Sequence, residues 1–320
     1  MLFRKFSTKK FLITGASGQI GQKLIPYMYK RYGENSIVVS DLRQVTYQVD
    51  TQPSFTHLDV TDKKAFSDYV RQENPSTILH LSALLSATAE KFLDKAFSVN
   101  VVGAMNALEI AMENKCSIYI PSTIAVFGPN VPRLNTPDDV VLQPTTVYGI
   151  AKVYMELMGN YYHKKFGLDF RSLRYPGAIS SDPPGGGTTD YAVEIYFELL
   201  KHKKYECFLS KNTMLPMMYM DDLIRGTCDF LDIPSDKLSR RVYNLAAISF
   251  TPGELYRTIS KYIPDTSITY KPDLRQNYAD SWPMSLDDSC ARRDWGWRHS
   301  YDIDQMTKIM IELISKKLNP

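Results

Sequence analysis

Short apolar runs alternate with longer amphipathic stretches through the first half of the chain. Phe11–Thr14, Ile37–Ser40, Thr56–Val60, Thr77–Leu81, Ser117–Ile120 and Phe170–Arg174 have the length and β-branched content of buried strands. Between them, around 19–32, 62–72, 89–114 and 146–166, apolar residues return every three or four positions, the period of a helix with one buried face. Alternation of this kind predicts an α/β fold, a doubly wound parallel sheet with helices on both faces. After Arg174 the pattern changes. Tyr175 Pro176 Gly177 leads into Ser181 Asp182 Pro183 Pro184 Gly185 Gly186 Gly187, which predicts an irregular loop, and a helix follows from Asp190 to Leu200. The remaining third predicts a strand near 241–245, helices around 222–231, 252–263 and 302–317, and an aromatic cluster of Trp282, Trp295 and Trp297. The expected organisation is a basic tail over 1–9, a nucleotide-binding domain over 10–177 and a smaller substrate domain over 178–320, with segments near 217–248 returning to the sheet.

The first strand runs straight into Gly15, Gly18 and Gly21, and the first helix opens at Gln19 and Ile20. A strand, a tight glycine turn and a helix start together form a cradle for a diphosphate. The glycines permit positive φ and close approach of backbone, and the helix contributes amides and the positive end of its dipole. Glycines at such a spacing also serve plain helix-on-strand packing. The second strand ends in Asp41, twenty residues past Gly21, where a carboxylate can accept hydrogen bonds from both ribose hydroxyls and repels a 2′-phosphate. This favours NAD over NADP and makes the sheet Rossmann-like, although Arg43 nearby is a residue that can pair with a phosphate. Asp59 and Val60 at the third strand end offer a polar edge and an apolar wall for adenine. Leu81, Ser82 and Ala83 lie where the fourth strand opens toward the cofactor.

Composition changes little in this picture. The 320 residues are 44% apolar and 23% charged with a net charge of +3, an ordinary globular balance that gives no basis for nucleic acid as the main partner. No apolar run has the length of a membrane span. Cys116, Cys207, Cys228 and Cys290 form no CxxC pair and the five histidines share no ligand spacing, so no metal site is expected. The opening MLFRKFSTKK is basic, carries Ser7 and Thr8 and lacks acids, which fits either a mitochondrial targeting remnant or a basic terminus.

The chemistry is expected on the helix after the fifth strand. Tyr148 and Lys152 stand four apart and share a face. A free phenol has a pKa of about 10 and is a poor base at neutral pH, but an adjacent ammonium and a cationic nicotinamide both favour phenolate. Ser122 and Thr123, just past the fifth strand, supply hydroxyls able to hold a substrate oxygen beside it. The YxxxK spacing alone also describes many solvated helix faces; its setting selects the catalytic reading.

GASGQIG, Asp41, VNVVGAMNALEIA, PSTIAVFG and YGIAK together resemble the extended short-chain dehydrogenase/reductases. Farther on, RYPGAIS, PGGGTTDYAVEIY, LPMMYMDD and ADSWPMSLDDS resemble the short-chain type of L-threonine 3-dehydrogenases, over nearly the whole chain. The resemblance implies NAD-dependent oxidation of the threonine C3 hydroxyl to 2-amino-3-oxobutanoate, on the way to glycine and acetyl-CoA. Tyr148 would be the base, Lys152 would bind ribose and acidify the phenol, and Thr123 would replace the usual serine. Asn100 would order a relay water, a position equally open to a helix residue bonded to a carbonyl. Tyr175 completes the implied cofactor set.

For the substrate, the resemblance adds Ser86 and Trp282 as pocket walls. Gly187, Thr188 and Thr189 end the glycine loop at a helix start, where free amides suit the substrate carboxylate; Asp190 there is either a contact or only an N-cap. Surplus apolar surface on the helices around 89–114 and 146–166 predicts a homodimer, or else packing beneath the substrate region. Two other functions remain in view: a nucleotide-sugar epimerase or dehydratase of the same fold, and a non-catalytic NAD-sensing protein.

Overall fold

The computed structural model describes residues 9–318. In the first half the elements are β1 (Phe11–Thr14), α1 (Gln19–Tyr32), β2 (Ile37–Asp41), β3 (Ser54–His57), α2 (Lys63–Glu73), β4 (Thr77–His80), α3 (Ser86–Lys91), α4 (Leu93–Ala96), a π-helical stretch Phe97–Gly103, α5 (Ala104–Glu113), β5 (Ser117–Tyr119), β6 (Ser122–Thr123), α6 (Val147–Phe166) and β7 (Phe170–Tyr175). There follow β8 (Gly177–Ile179), α7 (Tyr191–His202), β9 (Lys204–Cys207), β10 (Leu215–Tyr219), α8 (Met220–Asp232), β11 (Val242–Asn244), β12 (Ile248–Phe250), α9 (Pro252–Ser260), β13 (Ser267–Tyr270), α10 (Leu274–Asp280), α11 (Ser289–Trp295) and α12 (Ile303–Leu318).

The chain divides into two compact units. Among the described residues, one comprises 9–83 with Phe97–Pro121 and Met155–Ser172; the other comprises Leu84–Ala96, Ser122–Tyr154 and 173–318. In the first, parallel strands stand in the order β7-β5-β4-β1-β2-β3. Its central strand β1 pairs Phe11 with Ile37 on one side and with Thr77 on the other, and Phe11, Leu12 and Ile13 are buried. A strand buried on both faces reads as a continuous apolar run, which is why β1, β2 and β4 were legible.

In the second unit the last residues of β7 pair with β6, Ser122 beside Arg174 and Thr123 beside Tyr175. A three-stranded sheet β12-β10-β8 and a parallel β13-β9 pair complete its strands. Its core is made by Tyr191, Tyr196 and Leu199 of α7, Leu255 and Ile259 of α9, and Met306, Met310 and Ile314 of α12. Thr251 and Glu254 start α9 with a reciprocal capping box, each side chain accepting from the other's amide.

Several expectations need correction. The segment 89–114 is not one helix: it is broken at Phe92 and passes through the π-helical turn before α5 begins. One extra residue per turn in Phe97–Gly103 shifts the buried face, so the apolar period reads as continuous where the backbone is not. The third strand is Ser54–His57, leaving Asp59 and Val60 in the turn beyond it. The stretch after Tyr175 holds β8, where Gly177 lets β10 approach: a Cβ there would lie 2.5 Å from Met217 Sδ. Trp295 packs on Trp297 with ring centres 5.7 Å apart, beside Phe230 and Tyr243, whereas Trp282 belongs to the core that includes Ala279 and Leu286. The basic residues read as a targeting remnant lie, through Thr8, outside the described residues.

Candidate active site

In the first unit the glycine turn has the geometry of a cradle. Gly15 has φ +67, and a Cβ on it would sit 2.5 Å from Ser82 N and 2.7 Å from Leu81 C. The turn therefore lies directly against Leu81 and Ser82, and a hydrogen bond of 2.8 Å between Thr14 Oγ1 and His80 Nδ1 ties the two strand ends together. Gly21 has no room for a side chain either, since a Cβ would meet Ala16 O at 2.2 Å. Gly18 caps α1 without a side-chain hydrogen bond, and no acid stands in the first turn that Gln19 and Ile20 open. The positive end of this helix is left to an anion.

Asp41 at the end of β2 organises the adjoining loop. Its Oδ2 accepts from Ser17 N at 3.0 Å, and its Oδ1 from the amides of Leu42 at 2.7 Å and Arg43 at 3.3 Å. A carboxylate oriented by three backbone donors keeps lone pairs for ribose hydroxyls. These features fit an NAD molecule: a cradle that any Cβ would fill, an unneutralised helix start and a fixed acid. Asp59 takes both the amide and hydroxyl of Thr61, while Val60 packs on Gly103 and gives its carbonyl to Asn106 Nδ2. Asn100 is buried within the π-helical turn, a distortion often retained where a side chain must be aimed.

The second unit brings Thr123, Tyr148 and Lys152 together, with Ser122 next to Thr123 on β6. Lys152 is buried, and its Nζ lies 5.9 Å from the centre of the Tyr148 ring. Burial pushes the phenol up to about 12, and the Thr123 hydroxyl pulls it partly back. Thr123 Oγ1 also accepts from Ala125 N at 3.2 Å, which fixes its rotamer. The helix that carries the pair packs tightly at its start, because a Cβ on Gly149 would lie 2.1 Å from Ala125 O. With burial the larger effect, this phenol is protonated at neutral pH.

Other predicted residues are placed less simply. Ser86 is buried at the start of α3. Thr188 is 1% exposed and its hydroxyl has no hydrogen-bond partner among the described residues, an arrangement costly enough to point to a ligand. Thr189 packs against Gly177. The amides of Gly186 and Gly187 both donate 2.7 Å hydrogen bonds to Asp190 Oδ2, so they are not open to a substrate carboxylate in this structure. Asp190 thus makes no side-chain cap on α7 but holds the loop, and burial raises its pKa. Tyr175 directs its hydroxyl to Thr227 in the core, which leaves only its backbone at the strand end. Trp282 is buried and its carbonyl accepts from Arg133 Nε and Nη2, each at 3.3 Å. Among the described residues no group of His, Cys, Asp or Glu has the arrangement of a metal site.

Residues 11–246 match the model of the NAD dependent epimerase/dehydratase family. The chain is 44% identical over 311 residues to the mitochondrial L-threonine 3-dehydrogenase of Bos taurus, covering 97% of this chain and 83% of that one. The structure superposes on L-threonine dehydrogenase from Clostridium difficile with a TM-score of 0.93 and 47% identity, over 97% of this chain and 98% of the other. A monomeric L-threonine 3-dehydrogenase from a metagenome gives 0.91 and 43%, over 97% and 100%. The glycine cradle, the acid at the end of β2 and the Tyr148–Lys152 pair are thus features of a member of the NAD dependent epimerase/dehydratase family, to which this chain belongs.

Proposed function

We propose that the protein oxidises the C3 hydroxyl of L-threonine to 2-amino-3-oxobutanoate with NAD. The observation that carries this reading is the convergence of Tyr148, Thr123 and a buried Lys152 in one unit of a chain 47% identical, nearly end to end, to a threonine dehydrogenase. NAD would be held by Gly15, Gly18, Gln19, Ile20, Gly21 and Asp41, with Asp59, Val60, Leu81, Ser82, Ala83 and the backbone of Tyr175 beside it, and would supply the hydride acceptor. The residues of the chain do the rest. Ser122 and Thr123 hold the substrate hydroxyl. Tyr148 takes its proton, and Lys152 binds ribose and favours phenolate. The orphaned hydroxyl of Thr188, with Ser86, Gly187, Thr189 and Trp282, lines the amino-acid pocket, and Asn100 orders the water through which the proton leaves. Residues 10–177 chiefly serve the nucleotide and 178–320 the substrate, with Ser86, Ser122 and Thr123 of the first segment also facing the substrate.

A homodimer is part of the proposal. Ile150, Tyr154, Leu157 and Tyr161 make an exposed stripe along α6 at spacings of four, three and four, the seam of a helix that packs on another. Phe92, Leu93 and Phe97 are exposed in the other long segment. The monomeric relative shows that such a partner is not required of every homologue. The basic first residues and the mitochondrial bovine relative support a mitochondrial location.

A substrate screen tests the activity. L-Threonine with NAD should give sustained NADH release, and with NADP much less. Conversion of a nucleotide sugar without net NADH would establish an epimerase instead, and cofactor binding with no turnover of any candidate would establish a sensor.

A further inference from the structure

The base sits in the first turn of α6, and that turn is held from outside its own helix. Val147, the first residue of α6 and the one before Tyr148, donates its amide to Glu90 Oε1 at 2.7 Å. Thr146 caps the same turn locally, its hydroxyl accepting from Gly149 N at 3.1 Å. Gly149 is in turn pressed against the carbonyl of Ala125, two residues after Thr123. The helix start is therefore fixed on three sides, by its own cap, by the segment that carries the Thr123 hydroxyl, and by a carboxylate 57 residues away.

Glu90 lies on α3, four residues after the buried Ser86, so the two share a helix face. An anion at the positive end of a helix as long as α6 is stabilised by the dipole, and a hydrogen bond to a carboxylate is stronger and shorter than one to a neutral acceptor. The contact joins the element bearing a proposed substrate wall to the element bearing the proposed base.

We infer that Glu90 is a positioning residue for this reaction: through the amide of Val147 it fixes the first turn of α6, and with it the phenol of Tyr148. The inference rests on Tyr148 being the base. Loss of the bond frees the turn without removing any group that touches substrate. Misplacement of a reacting group by about 1 Å costs on the order of a hundredfold in rate.

The test compares Glu90→Ala, Glu90→Gln and Val147→Pro in the full chain. Proline at the first helical position deletes the donor while preserving the backbone it needs. Threonine-dependent NAD reduction is followed across pH, with NAD titration and a melting curve for each variant. Glu90→Ala and Val147→Pro should lower kcat about tenfold to a hundredfold and leave NAD affinity within about twofold. Glu90→Gln keeps an acceptor oxygen and should recover most of the loss. The inference is overturned if Glu90→Ala folds and keeps kcat and its pH profile, or if Glu90→Gln is as slow as Glu90→Ala. Should Glu90→Ala fail to fold, Val147→Pro decides alone, normal turnover overturning the inference. Tyr148→Phe run alongside separates the two readings: unimpaired turnover there removes the base assignment, whatever the Glu90 variants do.

Discussion

Lys152 places its ammonium 5.9 Å from the ring centre of Tyr148, one turn along the same helix, and is itself buried. The distance is short enough for a cation in a low-dielectric site to favour phenolate, yet burial still pushes the phenol up to about 12. In the proposed reaction a second positive charge would come with oxidised nicotinamide and would favour the phenolate of Tyr148 further.

Replacing Tyr148 with phenylalanine removes the proposed proton acceptor and little volume. Turnover should fall by about 10² to 10⁴-fold, the usual contribution of a positioned base, with NAD affinity nearly unchanged in a fluorescence titration. Equal losses of both would assign Tyr148 a structural role.

The pH dependence has a definite sign. With Tyr148 as the proposed base, the phenolate is the working form, so kcat/KM should climb with pH and level off above the phenol's effective pKa. Lys152→Met removes a cation that favours phenolate and should move the acid limb upward by about one pH unit or more. A limb that stays in place would show that Lys152 does not tune the phenol.

Asp41 should govern the choice of dinucleotide. Asp41→Asn keeps an oxygen for the amides of Leu42 and Arg43 but removes the charge that repels a 2′-phosphate. The ratio of kcat/KM for NAD over NADP should fall at least about tenfold, equivalent to 1.4 kcal/mol of lost discrimination. An unchanged ratio would move the discriminating role to another residue, with Arg43 the first to examine.

Gly15→Ala should damage fold and cofactor site together. The added Cβ meets Ser82 N at 2.5 Å and the position has φ +67, so both sterics and backbone oppose it. The melting curve should report a loss of about 1–3 kcal/mol, and NAD binding should weaken in parallel. Full stability with normal binding would show that the turn can open without cost.

The exposed stripe on α6 predicts a homodimer that a charge disperses. Ile150 is 55% exposed and Leu157 62%, two of the four residues that line the proposed seam. Leu157→Lys should convert a dimer into a monomer in analytical ultracentrifugation. A wild-type protein that sediments as a monomer at all concentrations would place it with its monomeric relative.

Much of this was readable from local pattern. The bounds of α1 coincide with those expected because Gly18 and Gly33 mark its ends and the buried face repeats faithfully between them. Tyr148 and Lys152 were visible because four residues on one helix need no tertiary information. The break at Phe92 and the π-helical turn around Asn100 were not, since a continuous apolar period conceals an inserted residue. The three-residue strands β8 and β12 are too short to show a pattern, and the pairing of β9 and β10 depends on partners distant in sequence. Asp190 stands at the N-cap position of α7 as expected but makes no side-chain cap, because its carboxylate accepts from the amides of Gly186 and Gly187 instead. Glu90 gave no signal at all; its partner is 57 residues away.

The most direct measurement supplies L-threonine deuterated at C3 together with NAD and follows the label by mass spectrometry of the dinucleotide. The wild-type protein should yield NADH carrying the deuterium, with a slowed rate when hydride transfer limits turnover, and Tyr148→Phe should yield very little. Unlabelled NADH, or none from threonine while a nucleotide sugar is converted, would contradict oxidation at that carbon.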